Sequence, residues 1–167
     1  MSTVADAIVR HLRGAGVRVI FGVPGGGGSL DVIDAAARTS LPFVLTATET
    51  AGVIAAIAQA EITGAPGACL TGLGPGAASA VNGVACALLD RAPVIVITDA
   101  HPASADGCTH QRLDQCALFA PVTKWSASIR ATDVDAVMAD AIARAIASPP
   151  GPVHLDLPAD VAGARVS

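Results

Sequence analysis

Val94-Ile95-Val96-Ile97-Thr98-Asp99 is the stretch of this sequence that decides the fold. Its first four residues are apolar and β-branched, which is typical of a strand buried on both faces of a parallel sheet. Segments of helical periodicity separate it from five other short apolar runs, at residues 17–21, 43–47, 68–73, 122–125 and 153–157. This alternation predicts right-handed βαβ units. We therefore expect an α/β fold: a doubly wound, six-stranded, mostly parallel sheet with helices on both faces.

Single residues mark several of the helix ends. Thr3 followed by Asp6 resembles a capping box, with Asp in place of the usual Glu or Gln. Ser29 is a candidate cap for the second helix. Pro75 stands where the first turn of a helix tolerates proline. These end signals indicate that the segments between the strands are the crossover helices.

The composition fits one globular domain with a core of small residues. The chain has 167 residues, of which 52% are hydrophobic but only 2% aromatic. Only 14% are charged, which indicates either a surface reserved for a partner or a general bias toward alanine. The net charge of -4 comes without a basic cluster, so we expect no nucleic-acid partner.

Targeting signals and cysteine chemistry also narrow the function classes. No apolar run is long enough to span a membrane, and the N-terminus has no secretory signal pattern. The 4 cysteines lack the spacing of a paired motif, which favours reduced thiols. The sequence therefore predicts a cytoplasmic protein without a membrane association.

Ligands of such sheets sit beyond the carboxyl ends of the strands, so the residues after each run are the candidates for a site. The first run leads into Gly22-Val23-Pro24-Gly25-Gly26-Gly27-Gly28, where four successive glycines let the backbone approach a ligand closely. The spacing is not that of a dinucleotide loop, and no basic residue lies nearby to meet a phosphate. The alternative is a flexible turn without a ligand.

A second glycine-rich turn, Thr71-Gly72-Leu73-Gly74-Pro75-Gly76, follows the third run. It lacks the Lys and Ser/Thr of a Walker phosphate loop. A backbone so poor in side chains can press against a flat ring. The turn is therefore a candidate ligand contact rather than a phosphate site.

Glu49 is the candidate acid, in the segment Thr48-Glu49-Thr50 after the second run. We expect it at the end of that strand, where neighbouring Ala, Val and Ile would partly desolvate it. Partial desolvation suits a carboxyl to share or transfer a proton near neutrality. The alternative is an acid at a helix N-terminus that only favours the helix dipole.

The stretch from 101 to 117 is the only long connection and is polar enough to be a functional loop. It contains Cys108, His110 and Cys116, whose spacing matches no zinc pattern, so we expect no metal site. Ser29 and Ser79 lack the G-x-S-x-G setting of a nucleophilic serine.

Together these segments resemble the N-terminal domain of thiamine-diphosphate enzymes of the acetolactate synthase, benzaldehyde lyase and oxalyl-CoA decarboxylase group. The resemblance covers about residues 5–160 and consists of blocks in the family's order. The blocks are 21–26, the turn at Glu49, 72–77, 87–94, 114–119, 121–125 and 151–158.

The resemblance implies a cofactor held between a pyrimidine-binding domain and the diphosphate-binding domain of another subunit. Glu49 matches the glutamate that hydrogen-bonds N1′ of the aminopyrimidine and so activates the cofactor. Gln111 matches a glutamine that faces the substrate. The positions that match the loops lining the pyrimidine and the substrate cavity are Pro24, Gly25, Gly26, Gly72, Gly74 and Pro75.

The sequence also departs from the family's pattern. Gly27 and Gly28 stand where many relatives carry other residues, and Thr50 stands where an acid or amide often follows the glutamate. Because of these two departures, the resemblance does not identify the substrate. The Gly-Asp-Gly…Asn segment that holds Mg²⁺ and the diphosphate is not found in these 167 residues.

We therefore expect residues 1–167 to be a single pyrimidine-binding domain, a fragment of a 2-oxo acid decarboxylase or carboligase that is inactive alone. A missing domain would hold Mg²⁺, and the parent enzyme could also hold FAD. The expected partners are a second copy, paired through the face that carries the pyrimidine site, and a diphosphate-binding domain. Three alternatives remain open: a natural small subunit of a two-chain decarboxylase, a non-catalytic dimerisation module, and a nucleotide-binding module.

Overall fold

The computed structural model describes residues 2–105 and 109–166, which form one α/β unit around a six-stranded sheet. The strand order is β2-β1-β3-β4-β6-β5, and every pairing is parallel. This confirms the predicted fold class. The strands are β1 (Ile20–Val23), β2 (Phe43–Leu45), β3 (Gly67–Thr71), β4 (Val94–Ala100), β5 (Trp125–Ser128) and β6 (Val153–Pro158).

Helices cover both faces of this sheet, as a buried parallel sheet requires. Three of them pack together on one face: α1 (Val4–Gly14), α2 (Gly28–Arg38) and α6 (Val134–Ile146). The other face is covered by α3 (Glu49–Thr63), α4 (Pro75–Leu89) and the short α5 (Gln115–Phe119). Among the described residues, no helix combines the length and apolar character needed to cross a membrane.

Close packing between α3 and α4 brings their N-termini side by side. Gly83 of α4 permits the approach, because a Cβ added there would lie 2.8 Å from Cβ of Val53 and 3.0 Å from the carbonyl oxygen of Thr50. Alanines supply much of the remaining buried surface of the two helices. The small residues expected from the composition therefore let α3 and α4 pack closely. This close packing places Glu49 next to the first turn of α4.

Two strands begin later than predicted, and β2 and β3 end at Leu45 and Thr71, two residues before the apolar runs do. β1 begins at Ile20 and not at Val17, whose amide instead donates to the carbonyl oxygen of Leu12 and so closes the end of α1. β5 begins at Trp125, because the segment Ala120–Val122 with its internal proline forms a 3₁₀ turn. Apolar composition alone does not distinguish a strand from the turn that precedes it.

Ser29 was predicted to cap the second helix, and this prediction is wrong. The helix begins at Gly28, two residues earlier than a cap at Ser29 would give, and Gly27 occupies the cap position without a side-chain hydrogen bond. Ser29 lies inside the first turn, where its hydroxyl bonds to Asp99 of β4. Asp99, which lies on a strand far along the chain, is the acceptor at the start of this helix, where the sequence had predicted the Ser29 hydroxyl.

The capping box at the start of α1 is confirmed and has a measurable consequence. The Asp6 carboxylate accepts hydrogen bonds from the backbone amide and the hydroxyl of Thr3, and it forms an ion pair with Arg38. The backbone bond from Thr3, followed by the bond from Arg38, lowers the pKa of Asp6 from 3.8 to about 2. The ionised form therefore stabilises the folded state above pH 3.8, and this contribution disappears as the pH falls toward 2.

We expect Asp6→Asn to remove that part of the acid dependence of stability. The free energy of unfolding of the variant, measured with denaturant from pH 5 to pH 2, should fall less steeply than that of the wild type. Asp140→Asn, which alters an exposed carboxylate on α6, is the matched control and should keep the wild-type slope. Parallel curves for Asp6→Asn and the wild type would contradict the prediction.

Candidate functional site

The strand order marks one place on this sheet as a ligand crevice. The chain leaves β1 toward β2 on one side, while β3 lies on the other side of β1. The connections after β1 and β3 therefore diverge, and this switch point opens a crevice beyond the carboxyl ends of the two strands. The two glycine-rich turns that the sequence singled out are the turns that leave β1 and β3.

A cavity of about 200 Å³ lies at this switch point. Its walls come from the turn after β1, the turn after β3, the first residues of α3 and α4, and the long loop after β4. The lining residues are Val23, Pro24, Gly25, Gly26, Glu49, Gly72, Leu73, Gly76 and Gln111. Segments that are far apart in the sequence thus meet around one small volume.

Glu49 is the carboxylate of this cavity. It is the first residue of α3 and follows the cap Thr48, whose side chain accepts from the amide of Ala51. The prediction that Glu49 ends a strand is wrong, since β2 stops at Leu45. Glu49 instead stands at a helix N-terminus, where the helix dipole favours its negative charge. The side chain is partly buried.

Two neighbours show how Glu49 points into the crevice. A Cβ added to Gly76 in the first turn of α4 would lie 3.2 Å from Oε1 of Glu49. Burial, followed by the negative charge of Glu49, raises the pKa of the Cys69 thiol on β3 to about 12. The carboxylate therefore lies against the first turn of α4, where the absence of a side chain at Gly76 leaves space beside it.

The two glycine turns nearly touch each other. A Cβ added to Gly25 would lie 3.0 Å from Cα of Gly72 and would collide with Oδ2 of Asp99. A Cβ added to Gly26 would meet nothing within 4 Å. Gly25 is thus required by packing, whereas Gly26 contributes backbone surface to an open part of the cavity.

Gly74 and Pro75 were predicted to contact the ligand, but neither lines this cavity. Gly74 is buried with φ of 55°, and its Cα faces the carbonyl oxygen of Gln111 so closely that no side chain would fit. Pro75 is exposed at the first position of α4. Both residues therefore shape the turn and the helix start behind the cavity.

Gln111 does line the cavity, from the loop after β4. Gln111 has a positive φ of 60° and is exposed. A second cavity of about 300 Å³ shares Gln111 and Leu73 with the first and continues toward His101 and Asp114. Gln111 therefore lies at the junction between the candidate ligand site and a larger open space.

Gln115 was not assigned a role from the sequence, yet it ties the walls together. It is buried at the start of α5, where its Oε1 accepts from the amide of Gly74 at 2.6 Å. Its Nε2 donates to Oγ1 of Thr98, to the carbonyl oxygen of Asp99 and to Oδ1 of Asp156. One amide side chain thus fixes the turn after β3 to the ends of β4 and β6.

The described residues contain no group of three or more His, Cys, Asp or Glu side chains that could hold a metal ion. Cys108, the first member of the triad considered from the sequence, lies outside the described residues. His101 has a structural contact, since its Nε2 lies 2.8 Å from the carbonyl oxygen of His110.

The sheet and its crevice define a doubly wound α/β domain with a ligand site built from glycine backbone and one carboxylate. The profile of the thiamine pyrophosphate enzyme family, N-terminal TPP binding domain, matches residues 2–118. The chain belongs to this family, as the TPP-binding N-terminal domain of acetolactate synthase-like enzymes.

Curated relatives place the domain within larger proteins. The chain is 38% identical over 159 residues to a probable acetolactate synthase large subunit of Methanocaldococcus jannaschii, covering 94% of this chain and 27% of that protein. It is 36% identical to the acetolactate synthase isozyme 2 large subunit of Escherichia coli, covering 94% and 29%. It is 33% identical to a probable 2-ketoarginine decarboxylase of Pseudomonas aeruginosa, covering 99% and 30%. The chain thus spans less than a third of the length of these relatives.

Proposed function

We propose that this chain binds the aminopyrimidine end of thiamine diphosphate and that Glu49 is the carboxyl that exchanges a proton with N1′ of that ring. The observation that carries the proposal is the position of Glu49 in the crevice between the turns after β1 and β3. A carboxyl at the end of a helix can hold a proton for a ring nitrogen within hydrogen-bonding reach.

The residues present fit a flat ring. Part of the wall is bare backbone at Gly25, Gly26 and Gly72, so a planar group can lie against that part without meeting a side chain. Gly76 keeps the space beside Oε1 of Glu49 open. When bound, thiamine diphosphate supplies an electron sink for cleavage of a bond next to a carbonyl group. The chain itself binds and orients the ring and holds the proton at Glu49.

The diphosphate end of the cofactor is assigned to another domain. The described residues offer no acidic cluster for Mg²⁺, and the turns at the crevice carry no lysine or arginine for a phosphate. We propose that a second polypeptide region holds Mg²⁺ and the diphosphate, and that a parent enzyme could carry FAD in a further domain. The isolated chain is then inactive.

The parent reaction we propose is decarboxylation or carboligation of a 2-oxo acid. Relatives named as acetolactate synthases and as a 2-ketoarginine decarboxylase support this class. Gln111, at the junction of the two cavities, is the residue that we expect to face the substrate.

Assays of 2-oxo acid turnover with thiamine diphosphate and Mg²⁺ test the proposal. We expect activity from a complete enzyme containing this chain, whether the diphosphate-binding domain follows in the same polypeptide or comes as a separate subunit. We expect none from the chain alone. Turnover by the chain alone, or a complete enzyme that works without thiamine diphosphate, would refute it.

We also propose that the chain forms a homodimer through the face that carries this site. The outer surface of α3 is apolar, with Ala51, Ile54 and Ala58 exposed along one side of the helix. Exposed apolar surface of this kind marks an interaction site in a soluble chain. Glu49 stands at one end of the same surface, so a second copy would close over the crevice.

Ile54→Lys should weaken the dimer because it places a charge in the middle of that surface, where Ile54 is 42% exposed. We expect sedimentation equilibrium to show a dissociation constant at least about tenfold higher, corresponding to about 1.4 kcal/mol. Ile146→Lys on α6, across the sheet, makes the same change at a 52% exposed position and should leave the dimer intact. Equal effects of the two variants would rule out this face.

A further inference from the structure

Asp99 is a buried carboxylate that the proposed chemistry does not use. It lies near the end of β4 and is completely buried. Its Oδ1 accepts from the backbone amide of Ser29 at 2.6 Å, and its Oδ2 accepts from the Ser29 hydroxyl at 2.7 Å. Gly25 and Gly27 pack against the same carboxylate, since a Cβ added to Gly25 would collide with Oδ2 and one added to Gly27 would lie 3.5 Å from Oδ1. One side chain thus holds the start of α2 by hydrogen bonds and contacts the turn that leads to it from β1.

This arrangement replaces a missing local cap. The first amides of a helix lack partners within the helix and need acceptors from elsewhere. The cap residue Gly27 has no side chain to offer, and the Ser29 hydroxyl donates to Asp99 instead of accepting from the helix. Asp99 therefore supplies, from the neighbouring part of the sheet, the negative charge and the acceptors that the start of α2 requires.

The four glycines of the turn have no side chains with which to hold it, and the Ser29 hydroxyl, which also lies 3.2 Å from the carbonyl oxygen of Gly25, is itself bonded to Asp99. Residues 25–28 are four glycines, and such a segment populates many backbone conformations unless something fixes it. Two of these glycines, Gly25 and Gly26, are walls of the candidate site. If these walls were mobile, ordering them would cost free energy whenever a ligand bound. A turn that is already fixed before binding avoids that cost.

We propose that Asp99 is a positioning residue that holds the glycine turn of residues 24–28 in place as a fixed wall of the cavity. Its consequence for the cofactor rests on the function proposed above, whereas its consequence for the turn does not. The carboxylate acts through its hydrogen bonds from Ser29 and its contacts with Gly25 and Gly27, and it touches no ligand itself.

Burial makes this an unfavourable place for a charge, and it raises the pKa of Asp99 despite the hydrogen bonds from Ser29. A charged group kept in a position that opposes its ionisation is consistent with a role other than stability.

Asp99→Asn in the full chain is the test, because it keeps the shape but turns an amide donor toward donors that need an acceptor. Amide hydrogen exchange resolved by NMR should become at least about tenfold faster at Gly25, Gly27 and Ser29. The amides of Leu70 and Ile97 in the sheet, which report global opening, should keep their rates. Asp31→Asn removes a carboxylate from the exposed side of the same first turn of α2 and should change neither set.

Ser29→Ala keeps the test valid if Asp99→Asn fails to fold. It removes the hydroxyl bonds to Asp99 and to the carbonyl oxygen of Gly25 but retains the amide bond to Asp99, so we expect a smaller acceleration at the same amides. Unchanged exchange in the turn, or a uniform increase over the whole sheet, would overturn the proposal.

Thiamine-diphosphate titration of the complete enzyme separates this proposal from the proposed function. We expect Asp99→Asn to raise the dissociation constant of the cofactor at least about tenfold while kcat at saturating cofactor stays within about threefold. An unchanged constant in a variant with a loosened turn would overturn the positioning role. A wild-type enzyme that binds no thiamine diphosphate would refute the proposed function, and the exchange rates would then decide on Asp99 alone.

Discussion

Glu49→Gln in the complete enzyme is expected to lower kcat about 10²- to 10⁴-fold, the range that a positioned acid–base group contributes. The amide has nearly the same size and can still fill the space beside Gly76. It cannot exchange a proton with a ring nitrogen, so binding of the cofactor should suffer far less than turnover. Steady-state kinetics with a 2-oxo acid at saturating cofactor measure the effect.

The matched control is Glu61→Gln, which makes the same substitution on the same helix at an exposed position three turns away. It should keep wild-type turnover. Folding stability of Glu49→Gln should fall by less than about 1 kcal/mol, because the main loss is a charge at the N-terminus of α3. Turnover within threefold of the wild type in Glu49→Gln would refute the assignment of Glu49 as the activating carboxyl.

Gly25→Ala is expected to destabilise the folded chain by about 1–3 kcal/mol, the usual range for extra atoms in a packed region. The added methyl group would meet both the Asp99 carboxylate and the backbone of Gly72 at 3.0 Å. Backbone atoms cannot rotate out of the way as a side-chain end can. The two glycine turns would have to move apart, which also widens the cavity.

Gly26→Ala is the control for stability, because the same methyl group one residue later meets nothing within 4 Å. Denaturant unfolding monitored at Trp125, the only tryptophan, gives the free energies of unfolding of the two variants. If Gly25→Ala unfolds with the same free energy as Gly26→Ala, the close contact between the turns does not exist in solution.

Much of the fold could be predicted because the strong local signals agree with the final packing. The run at 94–97 is apolar at every position and became the central strand β4, buried along nearly its whole length. Pro75 occupies the first position of α4 as expected. The errors lie at strand boundaries: Val17 and Val122 belong to the connections before their strands, and β2 and β3 end at Leu45 and Thr71, two residues before the apolar runs do.

Part of the candidate site could be predicted for a similar reason. Parallel strands end at one edge of the sheet, so the turns after the first and third runs and Glu49 had to share an edge. Gly74 and Pro75 lie behind the cavity, whereas Leu73 and Gly76 of the same turn line it, because the direction in which a glycine turn faces depends on what packs behind it. Gln111 carries no local signal for the positive φ that sets its backbone.

The sequence by itself determined the parallel α/β fold, the capping box of α1 and the set of turns that carry the site, because each depends on neighbours within a few residues. Only the tertiary structure decided which turns meet and what holds them. Asp99 and Ser29 are 70 residues apart, and Gln115 reaches Gly74 across 41. Such pairs form because the sheet order and helix packing bring them together, and no periodicity or motif encodes a contact between side chains so distant along the chain.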